Sequence, residues 1–156
     1  MPSFSREVRT IRLLLAGSRW ALDNPVSMIL DEYERLVDSG RLVNLERRSG
    51  LQIFFASRAI DSLLAYIVRW ECNRLGGSPL RRGTIPNAIG PCINFIQRFG
   101  INAGNQFTRP TERGLDAVRQ KRNRYLHQAG VFPSDSDLAN FLNDTLASVR
   151  EIITWR

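Results

Sequence analysis

Residues 51–77, LQIFFASRAIDSLLAYIVRWECNRLGG, decide the fold class of this chain. Apolar side chains recur there at steps of three and four, for example at Ile60, Leu63 and Ile67. This spacing places them on one face of an α-helix. The two glycines at the end of the stretch are typical of a helix terminus, because glycine readily adopts the left-handed conformation found there. The sequence therefore predicts one long core helix over about residues 42–75.

The flanking sequence shows the same helical periodicity on both sides. Alternating runs of β-branched residues, which would indicate strands, are missing throughout. The predicted helices cover about residues 5–20, 25–38, 42–75, 87–99, 111–128, and 134–136 to the C-terminus. With 156 residues the chain has the length of one domain. We predict an all-α, single-domain bundle of five to six helices.

Composition limits the classes of protein to which the chain can belong. No stretch approaches the roughly 18 uninterrupted apolar residues of a membrane span. Cys72 and Cys92 are too few for a disulfide framework, and both lie in apolar helical patterns. We interpret them as reduced core residues and expect a cytoplasmic protein. One histidine and two separated cysteines do not predict a metal site, and no cofactor is expected.

The charge of the chain points toward an anionic partner. The formal net charge is +7, and Lys121 is the only lysine among the 22 basic residues. The planar guanidinium of arginine matches the geometry of phosphate oxygens. A GC-rich genome that favours arginine codons is a competing explanation. The charge therefore favours a nucleic-acid partner without establishing one.

The predicted helix over residues 111–128 contains a basic segment with an unusual arginine. Four of the six residues from 119 to 124 are basic. On a helix, the apolar residues of this segment form one arc, and Arg122 falls near the centre of that arc. An unpaired charge at such a position would cost several kcal/mol. It must therefore face a cavity or an interface, or pair with a core carboxylate such as Asp61 or Glu71. The apolar residues of the arc are Leu115, Val118, Tyr125, Leu126 and Ala129.

His127 is the only histidine of the chain, and it lies one helical turn after Asn123. These two side chains share a face at the edge of the apolar arc. Histidine is the side chain whose ordinary pKa lies nearest neutral pH, which suits it to proton transfer. A histidine near a helix C-terminus is also a common cap or dipole partner. Both readings of His127 stay open at the level of the sequence.

Residues 122–127, RNRYLH, resemble the R-x4-6-H motif of HEPN domains (higher eukaryotes and prokaryotes nucleotide-binding). Asn123 matches the polar residue that commonly follows the arginine in that motif. The position also fits, late in a helix of an all-α chain and before one more amphipathic helix. Ala129 departs from the toxin branch, which has a tyrosine there. The resemblance implies a HEPN-like core over about residues 42–155, with about residues 1–40 as an N-terminal helical extension.

The resemblance implies a metal-independent endoribonuclease. In such an enzyme the RNA 2′-hydroxyl attacks the adjacent phosphate, leaving a 2′,3′-cyclic phosphate and a 5′-hydroxyl. His127 would transfer the proton, Arg122 would stabilise the phosphorane charge, and Asn123 would orient the phosphate or the histidine. The residues expected to hold the RNA backbone are Arg119, Lys121 and Arg124.

The resemblance also implies partners and a biological setting. The site of such proteins is usually built across a symmetric homodimer, and they typically act in toxin–antitoxin or antiviral defence systems. An antitoxin or a sensor protein is then an expected partner, besides RNA. No membrane partner is expected.

Three alternatives stay open. The chain can be a non-catalytic HEPN-like interaction module within a larger defence complex, with the same fold and dimer. It can be a helical DNA-binding protein that uses the basic helix for recognition, although Arg122 on the apolar arc and the lack of a short helix-turn-helix spacing oppose this. The sequence also leaves a cysteine–histidine pairing open, although both cysteines lie in core patterns.

Overall fold

The computed structural model describes residues 4–21, 24–42, 45–102 and 104–156. These ranges form six helices and contain no strand, apart from one isolated bridge between Ile101 and Asn105. The prediction of an all-α, single-domain bundle is confirmed. The helices are α1 (Phe4–Ala16), α2 (Asn24–Leu42), α3 (Leu45–Arg74), α4 (Ile89–Phe99), α5 (Arg109–His127) and α6 (Asp135–Thr154).

Helix α3 is the centre of the bundle. Its 30 residues span about 45 Å at the helical rise of 1.5 Å per residue. It packs against α2, α4, α5 and α6. The side chains that the sequence pattern places on its core face, including Ile60, Leu63 and Ile67, are completely buried. Apolar burial of this kind supplies the main favourable term in folding, and it fixes the other helices around α3.

The two glycines after α3 end the helix as the sequence predicts. The backbone N–H of Gly77 donates to the Cys72 carbonyl at 2.8 Å, and that of Gly76 donates to the Asn73 carbonyl at 3.1 Å. Gly76 has a φ of +77°, a left-handed conformation that side chains with a Cβ disfavour. This pair of hydrogen bonds is the Schellman arrangement, which satisfies carbonyls that the helix end would leave unpaired.

One segment of α3, Arg48–Arg74, is long and apolar enough to cross a membrane by length and composition alone. Half of its most apolar window is buried inside the bundle. The buried core helix of a water-soluble protein meets the same criterion, so a single helix of this kind is weak evidence for a membrane span.

Helices α1 and α2 share the core with the rest of the chain. Helix α1 packs against α2 and α6, and α2 packs against α3. Trp20, just after α1, is buried and makes an edge contact with the Trp70 ring at 5.5 Å between centroids. Its indole N–H donates to the Ile152 carbonyl at 3.2 Å. The division into an extension and a HEPN-like core stays a prediction, but about the first forty residues help to form one core.

Several helix boundaries differ from the predictions. Helix α1 ends at Ala16 rather than near residue 20, and α2 continues past the predicted end at residue 38. Helix α5 begins at Arg109, because Pro110 occupies its first turn and Thr108 is its N-cap. The buried Thr111, at which the predicted helix begins, therefore lies inside the helix.

The start of α5 is fixed to α6 by Glu151. The Thr108 backbone N–H donates to one carboxylate oxygen of Glu151 at 2.5 Å, and the Thr108 hydroxyl donates to the other at 3.0 Å. A charged acceptor strengthens both hydrogen bonds. Helix α5 packs in addition against α3 and α4. The basic helix is thus held at its beginning and along its length by three neighbouring helices.

Candidate functional site

The apolar arc of α5 is buried in its first half and exposed toward its end. Leu115 and Val118 are completely buried, and Tyr125 is half-buried. Leu126 keeps 37% of its surface exposed, and Ala129 is exposed. The first part of the predicted arc therefore lies in the core, and Tyr125 still packs against the core from the last turn of α5. Leu126 and Ala129, next to the predicted site residues, are exposed.

Arg122 pairs with Asp61 of α3. Its Nη1 donates to Oδ1 at 2.8 Å and to Oδ2 at 2.7 Å. The two side chains are 23% and 32% exposed, so this ion pair is only partly buried. Burial raises the pKa of Asp61, while the charge and hydrogen bond of Arg122 act in the opposite direction. The partner that the sequence analysis named as one possibility is thus the one that is observed.

Glu71, the other predicted partner, is engaged elsewhere. Its carboxylate accepts two hydrogen bonds from Arg74, at 2.5 and 3.0 Å, and one from the Asn102 backbone N–H at 3.0 Å. Burial raises the pKa of Glu71, but these donors outweigh burial and the net shift is downward. Glu71 therefore ties the end of α3 to the loop after α4 and has no part in the Arg122 environment.

A cavity of about 550 Å³ lies between α4 and α5. Arg119, Arg122 and Asn123 line it from α5, and the first turns of α4 line it from the other side. Asp116 accepts two hydrogen bonds from the Arg119 guanidinium, at 2.8 and 3.0 Å. A Cβ on Gly90 would stand 3.2 Å from the Arg119 Cδ, so the absence of a side chain lets Arg119 lie close against α4. We call this space the α4–α5 cavity.

His127 is the last residue of α5; it is exposed and does not line the α4–α5 cavity. Asn123, one turn earlier, is also exposed and does line it. Of the three residues that were predicted to be catalytic, the fold brings Arg122 and Asn123 to one cavity. His127 stands further along the same helix, beyond the cavity.

The predicted RNA-binding residues divide between two sides of α5. Arg119 lines the α4–α5 cavity. Lys121 lies 3.4 Å from the Asp137 carboxylate of α6, and the Arg124 guanidinium lies 5.6 Å from the Tyr125 ring centroid. The Tyr125 hydroxyl donates to Asp137 at 2.8 Å, and this hydrogen bond lowers the pKa of the carboxyl. Lys121 and Arg124 therefore form a second basic area, toward α6.

A further cavity of about 680 Å³ extends the site toward the start of α5. It shares Glu112 and Asp116 with the α4–α5 cavity, so the two form one groove. Arg109 and Arg113 line this extension, and the sequence analysis did not single out either of them. Their signal was present in the helical spacing, since each lies on the same helix as the predicted motif at steps of three and four.

The cysteines are unsuited to a nucleophilic role. Cys72 and Cys92 are completely buried, whereas His127 is exposed, so neither cysteine pairs with it. Burial raises the pKa of the Cys92 thiol to about 12, with smaller contributions from the charges of Asp61 and Cys72. A thiol with this pKa stays protonated and is a poor nucleophile near neutral pH.

Neither a metal centre nor a family assignment emerges from these observations. In the part of the chain that the structure describes, no three His, Cys, Asp or Glu side chains cluster as metal ligands would. Comparison with protein-family models, curated proteins and solved structures found no match to this chain. The resemblance to HEPN domains therefore rests on the motif over residues 122–127 and its place in an all-helical fold, and membership of that family stays a prediction.

Proposed function

We propose that this chain is a metal-independent, cytoplasmic endoribonuclease of the HEPN type. The observation that carries the proposal is the placement of Arg122 and Asn123 on one cavity, with His127 one turn beyond Asn123 on the same helix. The cavity presents the Arg122 guanidinium and the Asn123 amide to a phosphate group, and the Asp116 carboxylate that also lines it is paired with Arg119. Glu112 is a second carboxylate in the lining. A neighbouring exposed histidine supplies the proton transfer that phosphodiester cleavage needs.

The reaction would proceed without a covalent enzyme intermediate. His127 takes the proton of an RNA 2′-hydroxyl, and the resulting oxygen bonds to the adjacent phosphorus. The bond from phosphorus to the 5′-oxygen breaks, and that oxygen takes a proton from a protonated imidazole. The products are a 2′,3′-cyclic phosphate and a 5′-hydroxyl. Arg122 would offset the charge that builds on the phosphorane oxygens, and Asn123 would orient the phosphate.

Asp61 would act as a positioning residue for Arg122. Only Nη1 of the guanidinium donates to the carboxylate, so the other nitrogens keep donors for a phosphate. The ion pair fixes the side chain before substrate binds, which lowers the entropic cost of ordering it at that moment. Asp61 was predicted only as a structural partner of Arg122.

A homodimer would complete the site. The monomer leaves His127 outside the cavity, and the apolar side chains of Leu126 and Phe132, one and five residues away along the chain, are 37% and 65% exposed. Exposed apolar side chains next to a predicted site support contact with a second copy along the end of α5. Two-fold packing there would bring the partner subunit's His127 toward the cavity of the first subunit.

The basic residues around the motif would hold the RNA backbone. The biological role would follow from uncontrolled cleavage of RNA. Arg119, Lys121 and Arg124 supply positive charge on both sides of α5, with little sequence preference expected. The resemblance to HEPN domains implies a role in a toxin–antitoxin or antiviral system. An antitoxin or a sensor protein would then restrain or trigger it.

The test is RNA cleavage in the presence of EDTA. Wild-type protein is incubated with total RNA and with defined oligonucleotides, beside His127→Ala, Arg122→Ala and the control Arg69→Ala at an exposed position of α3. We expect cleavage to fall by about 10²–10⁴-fold without the histidine and about 10²–10³-fold without Arg122. Arg69→Ala should cut normally. Cyclic-phosphate ends identify the chemistry.

A second function, a non-catalytic interaction module within a defence complex, is favoured by one observation. The Arg122–Asp61 ion pair satisfies the arginine without any ligand. Under this alternative, folded wild-type protein binds RNA or a partner protein and leaves every RNA intact. The cleavage assay distinguishes the two, and duplex DNA in the same binding assay tests the helical DNA-binding alternative.

A further inference from the structure

A separate cavity of about 510 Å³ lies beside the second half of α4. It is formed by the loop between α3 and α4 together with the exposed face of α4. We call it the arginine pocket, after its three basic residues. Its lining consists of Pro79, Leu80, Arg81, Arg82, Thr84 and Arg98.

The arginine pocket has no carboxylate partner for its positive charge, and the Arg98 guanidinium lies 5.0 Å from the Phe99 ring centroid. Its lining includes three arginines, Arg81, Arg82 and Arg98, and no acidic side chain. Within the described ranges, none of the three guanidinium groups lies within 4 Å of a carboxylate oxygen. This differs from the α4–α5 cavity, where both arginines have carboxylate partners. Three like charges around one cavity repel each other, and an anion bound among them would relieve that repulsion.

The loop that carries two of these arginines is ordered by its own hydrogen bonds. The Ser78 hydroxyl donates to the Thr84 carbonyl at 3.1 Å and accepts from the Leu80 backbone N–H at 3.3 Å. The Gly83 N–H closes a turn by donating to the Leu80 carbonyl at 2.9 Å. Leu80 and Ile85 pack against the core on either side of that turn. The loop therefore presents Arg81 and Arg82 from a defined turn.

The arginine pocket and the α4–α5 cavity share one face of α4. Asn94 lines the α4–α5 cavity, and Arg98 lines the arginine pocket. These two residues are four apart, so they lie on the same side of the helix at a rise of about 6 Å. Both are exposed. A ligand with negative charges at regular intervals can therefore contact both sites by following the exposed face of α4.

We propose that the arginine pocket binds a backbone phosphate of a nucleic-acid strand whose neighbouring nucleotides reach the α4–α5 cavity. The proposal rests on the RNA-binding part of the proposed function and does not require cleavage. Planar guanidinium groups match phosphate oxygens, and repeated phosphates match two basic sites on one helix face. Single-stranded nucleic acid supplies this spacing of charges along a flexible backbone.

The experiment measures binding of a fluorescent 12-nucleotide RNA whose 2′-oxygens are methylated, because this probe cannot be cut by 2′-hydroxyl attack. Fluorescence anisotropy compares wild type with the triple variant R81Q/R82Q/R98Q. The matched control, R6Q/R9Q/R69Q, removes three charges from exposed arginines elsewhere. We expect the pocket variant to bind at least about tenfold more weakly, with a salt dependence that falls by about 1–2 in slope. The control should change much less.

Further variants keep the test decisive. All three pocket arginines are exposed, so circular dichroism should show the glutamine variant folded as wild type. The lysine variant R81K/R82K/R98K keeps the charge and should bind with intermediate affinity, because ammonium groups cannot make bidentate contacts. The proposal is overturned if wild type does not bind the probe, or if both glutamine variants lose the same affinity. It is overturned as well if polyglutamate of equal charge competes as well as unlabelled RNA.

Failure of the ribonuclease proposal gives a different result. If unmodified RNA remains intact while the two glutamine variants still differ in affinity, the arginine pocket stands and the endoribonuclease proposal falls. If the pocket substitutions change neither the cleavage of unmodified RNA nor the binding of the probe, the endoribonuclease proposal stands and the arginine-pocket proposal falls.

Discussion

Removing the charge of Arg122 tests whether its ion pair with Asp61 supports the fold. Arg122→Met keeps most of the side-chain stem and deletes the guanidinium, which leaves the Asp61 carboxylate without its partner. Both oxygens of that carboxylate accept from Arg122, at 2.7 and 2.8 Å. Asp61→Asn makes the reverse change at nearly constant volume. The two substitutions and their combination form a double-mutant cycle.

The expected magnitude follows from the partial burial of the pair. Breaking a fully buried pair costs about 3–5 kcal/mol, whereas an exposed pair is worth about 0.2–1 kcal/mol. The side chains of Arg122 and Asp61 are 23% and 32% exposed, so their environment lies between these cases. We expect a loss of about 2 kcal/mol for Arg122→Met, or about 4–8 °C in Tm for a domain of this size. The coupling energy should be about 1 kcal/mol.

The pH dependence of this loss provides an internal check. Burial raises the pKa of Asp61, and Arg122 opposes that shift, so removing the arginine should raise the pKa further. A carboxyl with a raised pKa in the folded state is tolerated when protonated, and its cost appears as pH rises through that pKa. The loss of unfolding free energy caused by Arg122→Met should therefore be largest at neutral pH and shrink in mild acid. In mild acid, adding Asp61→Asn to the Arg122→Met variant should change its stability little.

Urea unfolding followed by circular dichroism measures these quantities at pH 7 and in mild acid. If Arg122→Met leaves the free energy of unfolding at pH 7 within about 0.5 kcal/mol of wild type, the usual range for neutral surface changes, the ion pair does not stabilise the fold. In that case the ion pair would hold the arginine for a ligand without supporting the fold. A coupling energy near zero would lead to the same conclusion.

Three other predictions concern backbone strain, thiol reactivity and capping. Gly100→Ala should destabilise the protein by at least about 3 kcal/mol, because Gly100 has φ +73° and ψ 169° and a Cβ there would lie 2.7 Å from the Gly104 Cα. Gly104→Ala should cost only about 1–2 kcal/mol, because Gly104 has φ +88° but open space around it. Equal losses of free energy in urea unfolding would contradict this. Cys72 and Cys92 should react with Ellman's reagent only after unfolding, and rapid reaction of the native protein would show that they are less buried than described. Ser134→Ala should cost about 1 kcal/mol, because the serine hydroxyl caps α6, while Ser134→Asp should unfold like wild type; an unchanged Tm for the alanine variant would exclude a capping role.

The fold was predictable because helical periodicity and helix termini are local signals. The apolar face of α3 and the glycines after it follow from spacing and backbone freedom alone, and both are observed as predicted. The boundaries of α1 and α2 were wrong by several residues, because packing extends or shortens a helix beyond its local signals. Helix α5 begins two residues earlier than predicted, because Pro110 lies in its first turn and Thr108, its N-cap, is held by Glu151 of another helix.

The candidate site was predictable only in part. A charge in the middle of an apolar arc required a partner, and that argument led to Asp61 and Glu71 as candidates. Choosing between them requires the path of the chain after α3, since Glu71 is taken by Arg74 and by Asn102. The cavity between α4 and α5 depends on how two successive helices pack against each other, so no local pattern reveals it. In the sequence, the arginine pocket corresponds only to two arginines in the loop after α3 and one in α4, and no spacing pattern joins them.

Lys121, which pairs with Asp137, is the only lysine of the chain and lies within α5, so a lysine-specific protease can probe that helix. Because this is the only lysine, a lysine-specific protease can cut the chain at one peptide bond, between residues 121 and 122, and give fragments of 121 and 35 residues. That bond lies within α5, and a protease must unwind the helix locally to reach it. The rate of this single cut therefore reports how often the predicted catalytic helix opens, and a bound oligonucleotide should slow it without any label being attached.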